Sequence, residues 1–470
     1  MLQQYLKRGA LNIICYGASS IIARLLSFFC LPYFLSKLTP AEFGVWEMHQ
    51  TVLSVGTLLV ASCASTAMTR FCVLYQHDKM KQKQAVGNAF IAVLVTALFF
   101  FMISYLVLDH VHITVLNICL FALFAVLIAY LRVREYLLLY FIFFCGQNSI
   151  AAICMIVGLY NGFGLDAFFY AQCASYILFL PFFIILLFRY KQFSWVIFKE
   201  QVMYSIPLVI NALLYMLFFT VDRFFVQHTM GYEALGLYGL LWRFGTIFQF
   251  FAVAVTDARI ILLCHAQKEQ ESDILVQKLI TYFCLLLATG VVGSLVLSCC
   301  AIRCFFPASY QGLVLYLPLF FIALAFLEIG RVMGSGFILA MHTRYAPLLV
   351  MSALLTQLIA CYSAAHYGLW GIISANTFAF LIFGLAHYWY SKKVYSLVIF
   401  DHTRLTKIFV CLISYSSVYH LLFLYNISAP VLVLFACSWP ICVWLSGVIA
   451  DDEKEWCSAQ ITRKMNSYLN

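Results

Sequence analysis

The sequence predicts an all-α integral membrane fold of about 14 transmembrane helices, built as two six-helix lobes related by an axis along the membrane normal plus a C-terminal helix pair. Three observations carry this expectation. Of the 470 residues 64% are hydrophobic and only 10% charged, whereas soluble chains are about half apolar and about a quarter charged; no soluble surface can hide that excess. The apolar residues form long continuous runs. Two segments in different halves of the chain also resemble each other.

A run of about 18 to 25 apolar residues crosses roughly 30 Å of hydrocarbon as a helix, and only helices or closed barrels satisfy their backbone groups there. The runs are continuous rather than alternating, which excludes barrel strands. The first, 12–35, follows Lys7 and Arg8; it is too long for a signal-peptide core and lacks a small-residue cleavage site. Spans 46–68 and 88–108 flank the lysines 79, 81 and 83, and spans 113–131 and 137–159 flank Arg132 and Arg134. Span 167–188 ends at the basic segment from Arg189 to Lys199. Spans 205–227, 234–263, 279–302, 313–341, 346–365 and 368–389 follow, closed by Lys392 and Lys393. Spans 405–424 and 427–450 form the appended pair. The 18 cysteines lie mostly inside such runs, as in "LSCCAIRC", and read as small hydrophobes; none has metal-ligand spacing. Neither a metal nor a cofactor is expected.

Orientation follows from the basic residues, which short cytoplasmic loops retain. With both termini in the cytoplasm, the outer loops contain only Lys37 and Arg303 as basic residues. The net charge of +9 then faces anionic headgroups and requires no nucleic acid.

The segments "FLSKLTPAEFGVWEMHQTVLSV" and "FVQHTMGYEALGLYGLLWRFGTI" match after one insertion, pairing Phe34 with Phe225, Glu42 with Glu233 and Gly44 with Gly236. They stand six helices apart and share one orientation, which implies parallel repeats with a substrate cavity between them. The expected division is an N-terminal lobe at 1–188, a cytoplasmic linker at 189–204, a C-terminal lobe at 205–391, two helices within 392–450 and a cytoplasmic tail at 451–470.

Ionisable groups inside a span cost at least a few kcal/mol, so they face a wet cavity or a partner. Five cations, Arg24, Arg223, Arg243, Arg259 and Arg331, stand against three anions, Asp222, Asp257 and Glu328. The positive excess suits a phosphate-bearing substrate, which guanidinium holds bidentately. Glu328 and Arg331, three residues apart, are placed to neutralise each other, and Arg223 and Arg259 near span ends are placed to snorkel. Arg24 and Arg243 have no acid within a turn and are the main candidates for the cavity. Asp222, Asp257 and Glu328 are candidates for ion coupling. Gly330 and Gly334 read as close helix packing. Pro32, Pro181, Pro207 and Pro318 are candidate kinks. Trp242, Trp370 and Tyr238 read as sugar platforms or interfacial belts, and His228, His366 and His387 as interface histidines.

The opening "GASSIIARLLSFFCLPYFLSKLTPAEFGVW" and the mid-chain "SIPLVINALLYMLFFTVDRFFVQHTMGYEALGLYGLLWR" resemble the two signature regions of the oligosaccharide flippases. These are the O-antigen and polysaccharide transporters of the multidrug/oligosaccharidyl-lipid/polysaccharide exporter superfamily. The resemblance implies two lobes forming a V around a cavity, alternating access, and an undecaprenyl-diphosphate-linked oligosaccharide as cargo in a bacterial inner membrane. It implies membrane lipids, a polysaccharide polymerase and a chain-length regulator as partners. It also matches Arg24 to a basic cavity position and Asp222 with Arg223 to a helix-seven "DR". A lipid II flippase or a multidrug/cation antiporter of the same superfamily is the alternative. An embedded polymerase or acyltransferase, the alternative of another class, would need a catalytic constellation or a large loop, and the chain is expected to be no enzyme.

Overall fold

The computed structural model describes residues 2–107, 112–268, 273–336, 345–394, 401–424, 435 and 437–449. Side chains before residue 15 and at 20, 24, 106–107, 112, 250, 253–254, 257–262, 264–276 and 423–424 lie outside that description. Every regular element among the described residues is helical. In chain order these are α1 (Leu2–Lys37), α2 (Pro40–Leu74), α3 (Lys79–Val107), α4 (His112–Val133), α5 (Leu137–Tyr160), α6 (Asp166–Ile177) and α7 (Leu180–Arg189). Then come α8 (Trp195–Phe218), α9 (Val221–Lys268), α10 (Asp273–Phe305), a 3₁₀ segment (Ala308–Leu315), α11 (Leu317–Met333), α12 (Ala346–Ala364), α13 (Gly368–Val394), α14 (His402–Leu424) and α15 (Trp439–Leu445).

Among the described residues ten stretches are long and apolar enough to cross a membrane, or eleven if the 3₁₀ segment and α11, bent by 56°, form one span. Two of the ten run for 55 and 49 residues, when about 20 suffice for one crossing. The first is interrupted between α8 and α9 and again at Gly231, whose φ of +83° is open only to glycine at low cost. The second is interrupted by the 3₁₀ turn Ala365–Tyr367 and by Gly368 at φ +69°. Of the predicted last span, 427–450, residues 427–434, 436 and 450 lie outside the described residues, and Trp439–Leu445 is helical. Large apolar side chains remain exposed along the helices, among them Leu138 (71%), Phe188 (71%) and Ile359 (70%), a surface that only lipid covers without penalty.

Two of the expected proline kinks are helix starts. Pro181 and Pro318 stand in the first turns of α7 and α11, where a missing N–H costs nothing. The predicted sixth span remains one apolar stretch, Asp166–Arg189, with its helix interrupted just before Pro181. Pro32 and Pro207 do lie inside α1 and α8.

The chain forms two compact units, 1–239 and 240–470. In the first, α4 is apolar on all sides and central, with Ala122, Val126, Leu127 and Ala129 buried, as expected of a helix without a polar face. Tyr130 at its end meets the Tyr190 hydroxyl at 2.9 Å. In the second, α11 is central, with Phe321, Leu324, Leu327 and Val332 buried. A methyl on Gly330 would come within 2.7 Å of the Gly384 α-carbon of α13, so the glycine pattern serves close packing. His387 is buried at 2% exposure with Nδ1 on the Phe383 carbonyl at 2.9 Å, and is therefore no interface histidine.

The segment after α7 is fastened to α3. Asn88 donates to the Ser194 carbonyl and accepts from the Ser194 N–H, both at 3.0 Å, and Gln201 donates to the Ala85 carbonyl at 3.0 Å. Tyr75 adds a 3.1 Å bond to Glu200. The Asn88→Ala variant is expected to lose about 1–3 kcal/mol through the unmatched Ser194 groups. Hydrogen exchange at 194–201 and thermal unfolding in detergent check this.

Candidate functional site

The segment that begins the first repeat starts α2 with a capping box. The Thr39 N–H donates to Glu42 at 2.8 Å, the Glu42 N–H donates back to the Thr39 hydroxyl at 3.3 Å, and Pro40 occupies the first turn. This moves the helix start outward from the predicted 46. Glu47 and His49, which a start at 46 leaves at the membrane edge, are then two turns deep. Both are buried, at 3% and 5% exposure.

One face of α2 meets the first part of α9 backbone to backbone. A methyl built on Gly44 would overlap the Tyr232 carbonyl, and one on Gly236 would overlap the Pro40 carbonyl and stand 3.0 Å from the Gly44 nitrogen. The contact is reciprocal: Pro40 and Tyr232, like Gly44 and Gly236, are 192 positions apart. No insertion is needed across this turn, and the equivalent of Glu42 is Ala234 rather than Glu233. One turn further the symmetry breaks. Glu47 corresponds to Gly239, and its side chain lies directly over the Gly239 α-carbon.

Polar groups gather beside this crossing. Thr51 donates to the Glu47 carbonyl at 2.9 Å and accepts from Nη1 of Arg223 at 3.3 Å. Asp222 is fully buried; it accepts the Arg223 N–H at 2.9 Å and the Tyr238 hydroxyl. Tyr238 is fully buried too and so supplies no exposed face for a sugar. Trp242, at 5% exposure and edge-on to Phe320 at 5.4 Å, supplies none either. Trp370 alone of the three is exposed, at 39%, beside Tyr316 and His420.

The opposite face of α2 carries a second cluster. The His49 ring lies on the Trp46 ring at 5.3 Å and 16°, with the edge of Phe169 at 4.7 Å. Its Nδ1 is 3.0 Å from the Thr114 hydroxyl and its Nε2 is 3.2 Å from Oε1 of Gln172. The polar chain continues from the Gln172 carbonyl to Ser175 at 2.8 Å and from Ser175 to Gln147 at 3.1 Å.

Of the remaining candidates, Glu328 and Arg331 form an ion pair at 2.8 Å, the i,i+3 neutralisation their spacing allowed. Arg243 is partly buried on α9, and its carbonyl accepts from Thr246 at 2.6 Å. The side chains of Arg24, Asp257 and Arg259 lie outside the described residues. The structure thus brings Asp222 and Arg223 together with Glu47 and Thr51, and Glu328 with Arg331. With Glu47 counted, the five membrane arginines stand against four acids.

Comparison places this arrangement among transporters. The first solved neighbour is the lipid II flippase MurJ in an inward closed conformation, at TM-score 0.60 and 15% identity over 94% of this chain and 99% of that one. An inward-facing multidrug resistance MATE transporter of the MOP superfamily gives TM-score 0.61 and 14% identity over 83% and 97%. A MOP superfamily transporter from Pyrococcus furiosus, described as having a binding pocket of reverse polarity that suggests a different function, gives 0.56 and 15% over 82% and 95%. No curated protein matches. The chain therefore shares the all-helical membrane fold of these structures. A family model described as "Polysaccharide biosynthesis protein" matches residues 10–261, more than half of the chain, and the chain belongs to that family.

The glycine crossing makes a specific expectation. Gly44→Ala and Gly236→Ala should each destabilise by about 1–3 kcal/mol through overpacking, and the double variant by less than their sum because both open one contact. Thermal unfolding reads this out, with Gly17→Ala, where nothing lies within 4 Å, as the control.

Proposed function

We propose that the chain flips an undecaprenyl-diphosphate-linked oligosaccharide across the bacterial inner membrane, by alternating access, for polysaccharide or O-antigen assembly. Membership of the polysaccharide biosynthesis family over residues 10–261 is the observation that carries the reading, because the fold is shared with multidrug and lipid II transporters alike. The embedded arginines support an anionic cargo. In this reading the lobes are 1–188 and 205–391, joined at 189–204 and followed by the helix pair within 392–450, with both termini cytoplasmic.

Arg24 and Arg243 hold the diphosphate, while Arg223 and Arg259 extend the positive lining. Arg331 shares its charge with Glu328 and contributes least. The oligosaccharide travels in water and the polyprenyl tail stays in lipid, so only the headgroup must exchange hydration for guanidinium contacts. The transporter passes its cargo to a polymerase and chain-length regulator, and no chemical step on the cargo is required of it.

The test is transport of a fluorescent undecaprenyl-diphosphate trisaccharide by the full chain in proteoliposomes. Arg24→Ala with Arg243→Ala should reduce it on the order of a hundredfold, as expected for two charge-assisted hydrogen-bonding groups each contributing about 1.5 kcal/mol, with unfolding temperature unchanged. Undiminished transport by the folded double variant removes the assignment. Preferential movement of a lipophilic cation would favour the antiporter reading instead.

A further inference from the structure

We propose that His49 is the protonation site through which a proton gradient drives this transporter, a step that rests on the flippase reading above. The candidate acids whose bonds are described are already engaged: Asp222 accepts two hydrogen bonds and Glu328 is paired with Arg331. His49 differs, because its surroundings suit either charge state.

In the neutral ring Nε2–H donates to the side-chain Oε1 of Gln172, and the Thr114 hydroxyl donates to Nδ1, over the distances of 3.2 and 3.0 Å. When a proton from water binds Nδ1, the Thr114 hydroxyl turns and accepts from it, while Gln172 continues to accept from Nε2. No heavy atom has to move, and both N–H groups of the imidazolium are matched. The Trp46 face, stacked at 5.3 Å, then supplies a cation–π contact. Thr114 stands in the first turn of α4, at the membrane face that the charge distribution assigns outside, so the proton's entry path is short.

The groups facing the ring are Trp46 on α2, Thr114 on α4, and Phe169 and Gln172 on α6. The carboxylates and imidazoles on those helices are Glu42 and Glu47 on α2, Asp166 on α6, and His112 on α4, whose side chain is outside the described residues. Glu47 is the one that matters for coupling. Gly44, Glu47 and Thr51 follow helical spacing on the face that meets α9, and Trp46 and His49 lie on the other. A positive charge gained at His49 thus appears two residues from Glu47 and changes the field at the crossing with Gly239 and Arg223.

Two measurements on the full chain in nanodiscs and proteoliposomes test this. Tryptophan emission is titrated from about pH 4 to about pH 9, the span that brackets imidazole ionisation. The wild type should show a one-proton quenching step that His49→Gln and Trp46→Phe both remove. Thr114→Val should move the step to lower pH, since it removes the acceptor of the charged form, and Thr114→Ser should restore it. In proteoliposomes a one-unit proton gradient should stimulate transport of the fluorescent undecaprenyl-diphosphate trisaccharide up to about tenfold, a sodium gradient should not, and His49→Gln should lose the stimulation. A wild type without the emission step, or a His49→Gln protein that keeps the stimulation, overturns the proposal. A wild type that moves the probe but ignores the proton gradient overturns the coupling and leaves the flippase reading standing. If the emission step is present but no probe moves under any gradient, the flippase reading fails, and the coupling falls with it.

Discussion

The close approach of α2 to the start of α9 is the constraint on which the rest of the first unit depends. Two helices pass with their backbones in contact only where neither presents a side chain, and Gly44 and Gly236 meet that condition reciprocally. The local structure on either side serves the same end. Thr39, Pro40 and Glu42 fix where α2 begins, and Gly231 resets the backbone so that α9 resumes at the matching height. Because the contact is reciprocal at a constant offset, it retains the trace of a duplication more faithfully than the surrounding sequence. One turn later the duplication is broken, and that break matters: Gly239 makes room for a carboxylate that an exact repeat would exclude.

How much was legible in the residues depends on the scale at which they are read. The class of fold was, since a hydrocarbon solvent demands long apolar runs and tolerates few charges. Positions of helix ends were less so. A hydropathy reading begins span two at 46, yet a capping box acts through hydrogen bonds among polar residues outside the apolar run, and it starts the helix at Pro40. That difference hid Glu47 and His49. The Glu328–Arg331 pair was legible from spacing alone. The burial of Tyr238 was not, since its partner Asp222 lies sixteen residues earlier across a break that no periodicity announces.

Charge within the membrane is more nearly balanced than the sequence suggests. Counting residues treats each arginine as a unit of positive potential, but a potential is set by what each charge has beside it. Glu328 removes most of the far field of Arg331, and Glu47 adds a buried acid against Gly239. Asp222 meanwhile accepts hydrogen bonds from the Arg223 amide and the Tyr238 hydroxyl, which fix its position.

The way the linker is fastened bears on where motion can occur. A segment joined to its neighbours by Asn88, Gln201 and Tyr75 moves with α2 and α3, so α8 belongs mechanically to the first six helices at its near end. Bending then concentrates where the ladder of i to i−4 hydrogen bonds is already interrupted, at the junction of α8 with α9 and at Gly231. Between those two breaks lie Asp222 and Arg223, and just beyond them Gly236, Tyr238 and Gly239.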